Sequence, residues 1–166
     1  MSISNLFEPN NLDLFCAKLH ISDNISSPVS NEYLITSNLS IPNNTNTLLV
    51  YNSSVSSVPG LTYNAGTFTC TQAGMYSFCA TALFDLNATG IRTLWFQNSS
   101  SSRITNSSMG TASNDPLGLQ NSLSIYLNIG NTLQVFVFQN SGGNLNLLGQ
   151  TVSSICYTRI IVSRLF

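Results

Sequence analysis

Between Gly66 and Phe84 the chain reads G-T-F-T-C-T-Q-A-G-M-Y-S-F-C-A-T-A-L-F. Two apolar-rich runs of strand spacing flank a short Gln72-Ala73-Gly74 turn, which is a hairpin signal. Successive side chains of a strand point to opposite faces. In the second run Tyr76, Phe78, Ala80, Ala82 and Phe84 therefore share one side, and Met75, Ser77, Cys79, Thr81 and Leu83 share the other. The first side is strongly aromatic and the second is still half apolar. Leu133, Val135 and Val137 oppose Phe136 and Phe138 in the same way. Strands apolar on both sides are buried on both sides. In a two-sheet sandwich this predicts inner strands whose outer face lies against another subunit.

The rest of the chain supports an all-β reading. Strand patterns fall at Glu32–Ile41, Thr47–Asn52, Leu61–Tyr63, Thr67–Thr71, Met75–Leu86, Ile91–Asn98, Ser102–Thr105, Ser122–Leu127, Thr132–Gln139, Asn144–Leu148 and Ser154–Leu165. Turn residues separate them, at Pro42-Asn43-Asn44, Pro59-Gly60, Ala88-Thr89-Gly90, Asp115-Pro116, Ile129-Gly130-Asn131 and Ser141-Gly142-Gly143. The Asn- and Ser-rich stretches 52–57, 98–102 and 106–113 read as exposed loops. No long amphipathic helix and no internal repeat is visible. Residues 1–30 have a different character from the rest of the chain. They carry Glu8, Asp13, Lys18 and Asp23, with small apolar clusters around Leu12, Leu14, Phe15 and Leu19, and end in a polar stretch at Pro28. So little apolar content cannot fold alone. The expected organisation is a docking arm over 1–30, extended or with a helical turn or two, and a head domain over 31–166. The arm's contacts are assigned to Phe7, Leu12, Leu14, Phe15 and Leu19.

Charge is scarce. Asp, Glu, Lys and Arg make up 7 % of the chain, against roughly 25 % in typical soluble proteins. Asn, Ser and Thr replace it as solvating groups. A net charge of −1 leaves little repulsion between copies, which predicts a surface covered by neighbours in an assembly. Arg92, Arg103, Arg159, Arg164 and Lys18 are scattered rather than clustered, so the phosphate-neutralising term of nucleic-acid binding is missing. No apolar run approaches the roughly 20 residues of a membrane span. Met1 to Asn11 lacks the basic and apolar regions of a secretory signal, so synthesis in the cytosol is expected. The sequons at Asn24, Asn38, Asn43, Asn52, Asn87, Asn98 and Asn106 are expected by chance in so Asn- and Ser-rich a chain.

The residues that carry chemistry are few. His20 is the single histidine and lies in the arm, and no G-x-S-x-G elbow is present. Cys16, Cys70, Cys79 and Cys156 lack metal-ligand spacing; they read as reduced, small apolar residues, although Cys70 and Cys79 sit on two arms of one hairpin. Asp85 and Asp115 stand where strand gives way to turn, the place of an Asp capping its own backbone. No catalytic residue, cofactor or metal is assigned. Trp95, Phe96 and Tyr126 are the candidates for an aromatic sugar platform, against the simpler reading that they fill the core.

Three blocks carry a family resemblance. In G-T-F-T-C-T-Q-A-G-M-Y-S-F the residues Gly66, Phe68, Gly74, Tyr76 and Phe78 stand at glycine and aromatic positions; L-S-I-Y-L-N-I-G-N-T-L-Q-V-F-V spans Leu123 to Val137; T-R-I-I-V-S-R-L closes the chain. Their order and spacing resemble the jelly roll shared by tumour necrosis factor and the globular heads of complement component one, subcomponent q. Asn131 stands where that family usually has Asp, which keeps the turn chemistry. The resemblance implies a two-sheet antiparallel jelly-roll sandwich packed as a homotrimer, with both ends of the head on one face. It places Tyr76, Phe78, Phe136, Phe138 and Tyr157 along the trimer axis. The arm, N-L-F-E-P-N-N-L-D-L-F-C-A-K-L, is similar to N-terminal segments of small structural proteins of large DNA viruses. Together these imply a non-enzymatic virion protein: a minor capsid, spike or fibre-head component docked on other capsid proteins through residues 1–30, with a host receptor or glycan as a further partner. The alternative is a secreted receptor ligand or carbohydrate-binding head of the same fold.

Overall fold

The computed structural model describes residues 29–111, 115–150 and 157–166. The arm residues Phe7, Leu12, Leu14, Phe15 and Leu19, with His20, Cys16 and Cys156, lie outside the described residues. Among the described residues thirteen strands succeed one another: β1 (Val29–Leu34), β2 (Leu39–Ile41), β3 (Thr47–Leu48), β4 (Ser53–Ser54), β5 (Leu61–Asn64), β6 (Thr67–Cys70), β7 (Gly74–Phe84), β8 (Ile91–Asn98), β9 (Arg103–Gly110), β10 (Leu117–Leu127), β11 (Thr132–Gln139), β12 (Leu145–Leu147) and β13 (Arg159–Arg164). Val29 and Ser30, expected in the arm, belong to the first strand.

The strands form two antiparallel sheets packed face to face. One runs β2-β12-β7-β13-β1-β4, with β10 on the free side of β7; the other runs β5-β6-β11-β8-β9, with β3 also on β11. Val29 pairs with Arg164, so the two ends of the head lie side by side. Between the sheets the inward faces interdigitate. Phe68 of one sheet meets Phe78 of the other at 5.7 Å between ring centroids, Phe78 meets Phe96 at 6.2 Å, and Tyr33 meets Phe68 at 5.1 Å. Such edge-on and tilted contacts suit the ring quadrupole.

Local chemistry explains the turns. β5 and β6 join through Ala65 and Gly66, both at positive φ (45° and 90°), as a two-residue hairpin with matched twist requires. Asparagine amide oxygens hold most of the others. Asn38 accepts from the Gly149 N–H, Asn43 from Gly142, Asn87 from Thr89, Asn98 from Ser100 and Ser102, Asn131 from Asn128, and Asn140 from Ile91. The abundance of Asn thus has a structural cause, because its short amide caps loop backbone. Asp85 acts likewise on the Leu86 N–H.

Several expectations of strand extent change. β10 begins at Leu117 rather than Ser122, Thr47–Asn52 is strand only at Thr47–Leu48, and the expected loop 52–57 contains β4. Glu32–Ile41 is not one strand: the chain bends at Ser37, whose backbone lies so close to Gly149 that a Cβ there would overlap it. Residues 106–110 are not loop but the end of β9, because β8 supplies their hydrogen-bond partners from Asn106 to Gly110. A polar strand is stable at a sheet edge where one side faces water.

Few groups titrate inside this fold. Burial raises the phenols of Tyr51, Tyr63 and Tyr76 above their ordinary 10.0. A proton held more tightly in the folded chain stabilises it below that pH, and the benefit is lost as the pH rises past it. Melting temperature should therefore fall as the pH rises above 10.0. Thermal scans across alkaline buffers check this; a melting temperature unchanged well above that pH would contradict it.

Candidate assembly surface

The outward face of the β7 sheet is a nearly neutral surface. Pairing across β7 and β10 sets Met75 beside Tyr126, Ser77 beside Ser124, Cys79 beside Ser122, Thr81 beside Gln120 and Leu83 beside Gly118. On the other side of β7, β13 adds Arg159, Ile161 and Ser163, and β1 adds Ser30 and Glu32. The central side chains Ser77, Cys79, Ser122 and Ser124 are short and make weak lateral contacts, Ser124 to Ser77 at 3.5 Å and Ser122 to the Cys79 thiol at 3.4 Å. Arg159 and Glu32 bond each other at 2.7 Å, which neutralises the two charges on the face, and this contact raises the arginine's pKa. With 38 % of the arginine side chain exposed, the pair contributes at most about 1 kcal/mol.

Gly118 has no side chain to set against Leu83, and a cleft of about 270 Å³ opens there. Tyr157 borders it, and its ring lies 5.4 Å from the Arg159 guanidinium. At the far end of the face Tyr126 and Leu165 expose 54 % and 41 % of their surface. The Leu165 N–H bonds the Met75 carbonyl, so Tyr126, Met75 and Leu165 line up as one apolar row.

The residues expected along one axis separate into three environments. Tyr76 and Phe78 point inward and are 0 % exposed within a single chain, so neither has surface to offer a neighbour. Phe136 and Phe138 are half-buried on the outward face of the other sheet, where Phe136 stacks on Trp95 at 5.5 Å and 13°. Only Tyr157 borders the outward face of the β7 sheet. The aromatic side of β7 is turned to the opposing sheet, where Phe78 meets Phe68 and Phe96. Ser77, Thr81, Gln120, Ser122 and Ser124 occupy the outward face instead, and their types carry no signal beyond alternation.

Other candidates resolve in the same manner. Phe96 is core; Trp95 is 1 % exposed, covered by the Arg103 guanidinium 3.9 Å above its ring; Tyr126 alone of the three is open. Cys70 faces the core and Cys79 faces outward from the other sheet, and both are free thiols. Among the described residues no three His, Cys, Asp or Glu side chains gather as a metal site, and no helix is long and apolar enough to cross a membrane.

No protein-family model matches the chain, and no curated protein matches it by sequence. Solved structures do. The Eiger TNF of S. frugiperda superposes with a TM-score of 0.65 at 12 % identity, covering 84 % of this chain and 93 % of that one. The fold is TNF-like. Murine APRIL at pH 8.0 superposes at 0.62 and 12 % identity, over 83 % of this chain and 99 % of that one. The TNF-like sandwich here therefore spans nearly the whole of both solved structures at 12 % sequence identity.

Proposed function

We propose that this chain is a non-enzymatic head that binds and assembles, and that three copies pack through the outward face of the β7 sheet and its β10 edge. One observation carries the reading: a broad sheet face of small polar and apolar side chains, with its ion pair neutralised internally, beside an eleven-residue edge strand. A face of this kind desolvates cheaply, and a closed ring of copies covers the unpaired edge. Trimerisation also accounts for the scarcity of charge, and three copies turn weak contacts into avidity. The segment that precedes β1 tethers the head to a larger shell, which makes the chain a minor capsid, spike or fibre-head component of a virion.

Light scattering of the intact chain should give about three times 17.9 kDa. Ser124→Arg adds a charge at an exposed position of a single chain, so it should leave the fold intact and reduce the mass to one chain. A wild-type protein that stays monomeric at micromolar concentration would remove the trimer. The virion assignment predicts the chain in purified particles in stoichiometric amount, and its absence from them would favour the secreted-ligand alternative.

A further inference from the structure

We infer that the edge of the sandwich opposite β9 and β10 holds a binding cleft for one neutral sugar ring, lined by Tyr33, Tyr51, Tyr63, Asn52, Ser53 and Ser54. β1 and β4 end one sheet there and β5 ends the other. The gap between them measures about 190 Å³. That is below the roughly 300 Å³ at which sites for drug-sized ligands begin, so it suits one ring rather than a chain.

The lining combines three tyrosine rings, Tyr63 half-buried and Tyr33 and Tyr51 only 5 % and 4 % exposed, with uncommitted neutral hydrogen-bonding groups. Tyr63 lies 5.1 Å from Tyr33 and 6.2 Å from Tyr51, ring to ring. Its hydroxyl accepts the Tyr51 N–H at 2.7 Å and keeps its own proton to donate. The Asn52 amide oxygen accepts from the Thr36 N–H and hydroxyl, which orients the carboxamide and leaves its NH₂ with no partner among the described residues. Ser53 and Ser54 are exposed. Tyr51 adds an independent observation. Its hydroxyl is shut off from solvent and has no hydrogen-bond partner among the described residues, a costly state that calls for an explanation. A hydroxyl of the ligand, or the water carried with it, supplies that partner when the tyrosine ring shifts slightly.

Among the described residues no ionic side chain lines the cleft, so a charged ligand would enter without a counter-charge. A pyranose instead presents an apolar C–H face to tyrosine rings and a rim of hydroxyls to amides and phenols. Of these residues only Ser53, paired with Leu34 at the far edge of the sheet, shares its outward side, and none belongs to β7, β10 or β13, so the cleft does not rest on the trimer.

The test is ligand-observed NMR of the full chain against neutral monosaccharides, glycerol and a sialic acid. At least one neutral sugar should saturate in the millimolar range, ahead of glycerol and the acidic sugar. Tyr51→Phe should weaken that binding at least about threefold, the loss of one neutral hydrogen bond, without lowering the melting temperature. Asn52→Asp keeps the acceptor that holds Thr36 but loses the donor, and it should weaken binding too. The proposal is overturned by no saturation with any neutral sugar, by glycerol or the acidic sugar binding equally well, or by binding that both variants leave unchanged.

Discussion

Phe78→Ala should lower the unfolding free energy by about 3–5 kcal/mol, the range for emptying a fully buried aromatic site. Phe78 is 0 % exposed and touches Phe68 and Phe96 of the opposing sheet. β7 is paired on both sides at this position, with Leu123 of β10 and Val162 of β13, so the backbone cannot collapse into the vacated space. Ser77→Ala, one residue away but on the outward face, should change stability by less than about 0.5 kcal/mol. Urea denaturation at matched protein concentration measures both, which matters because assembly couples stability to concentration. A Phe78→Ala protein that loses oligomeric mass but keeps its stability would show that the aromatic side of β7 faces a neighbour after all.

The second large effect is expected at Gln139. This side chain is 0 % exposed, yet its amide nitrogen donates to the carbonyls of Ile41 and Gly143 at 3.0 and 2.8 Å. Its oxygen accepts from the N–H and the hydroxyl of Ser141, both at 2.7 Å. One buried amide thus fastens the β11–β12 turn to the end of β2. Gln139→Leu preserves the volume and removes every bond. Each backbone group left unpartnered costs about 1–3 kcal/mol where water cannot replace the bond, so a loss of about 3 kcal/mol or more is expected. Gln134→Leu is the control. It lies on the same strand, faces outward, and makes one bond, to the Thr67 hydroxyl at 2.9 Å. Its effect should stay below about 1 kcal/mol. Equal losses in the two variants would mean that the network around Gln139 does not bear on stability. Amide exchange at Ser141 gives a second reading, since the turn should open far more often in Gln139→Leu.

Arg92 shows what sequence could not disclose. It reads as one of a few scattered positive charges, yet it is 0 % exposed. It donates to the carbonyls of Thr89, Ile91 and Asn87, and its guanidinium lies 5.8 Å from the centre of the Phe84 ring. Nothing in the local pattern I-R-T-L-W-F distinguishes an arginine that organises its own loop from one that faces water. The reverse holds for β8 and β11, whose bounds match those read from alternation and turn residues, residue for residue.

The apolar strands, the sandwich class and the turns were written in local order, as period-two apolar patterns interrupted by Pro, Gly and Asn, whereas polar β4, the end of β9 and the start of β10 carry no such pattern. Alternation divides a strand into two faces, but when both are partly apolar it carries no sign that tells core from outside. For β7 that sign came from across the sandwich, where Phe68 and Phe96 claim Tyr76, Phe78 and their row, leaving Ser77, Cys79 and Thr81 outward. The Tyr33, Tyr51 and Tyr63 cleft was equally invisible, because its members stand far apart along the chain and meet only where the two sheets end together.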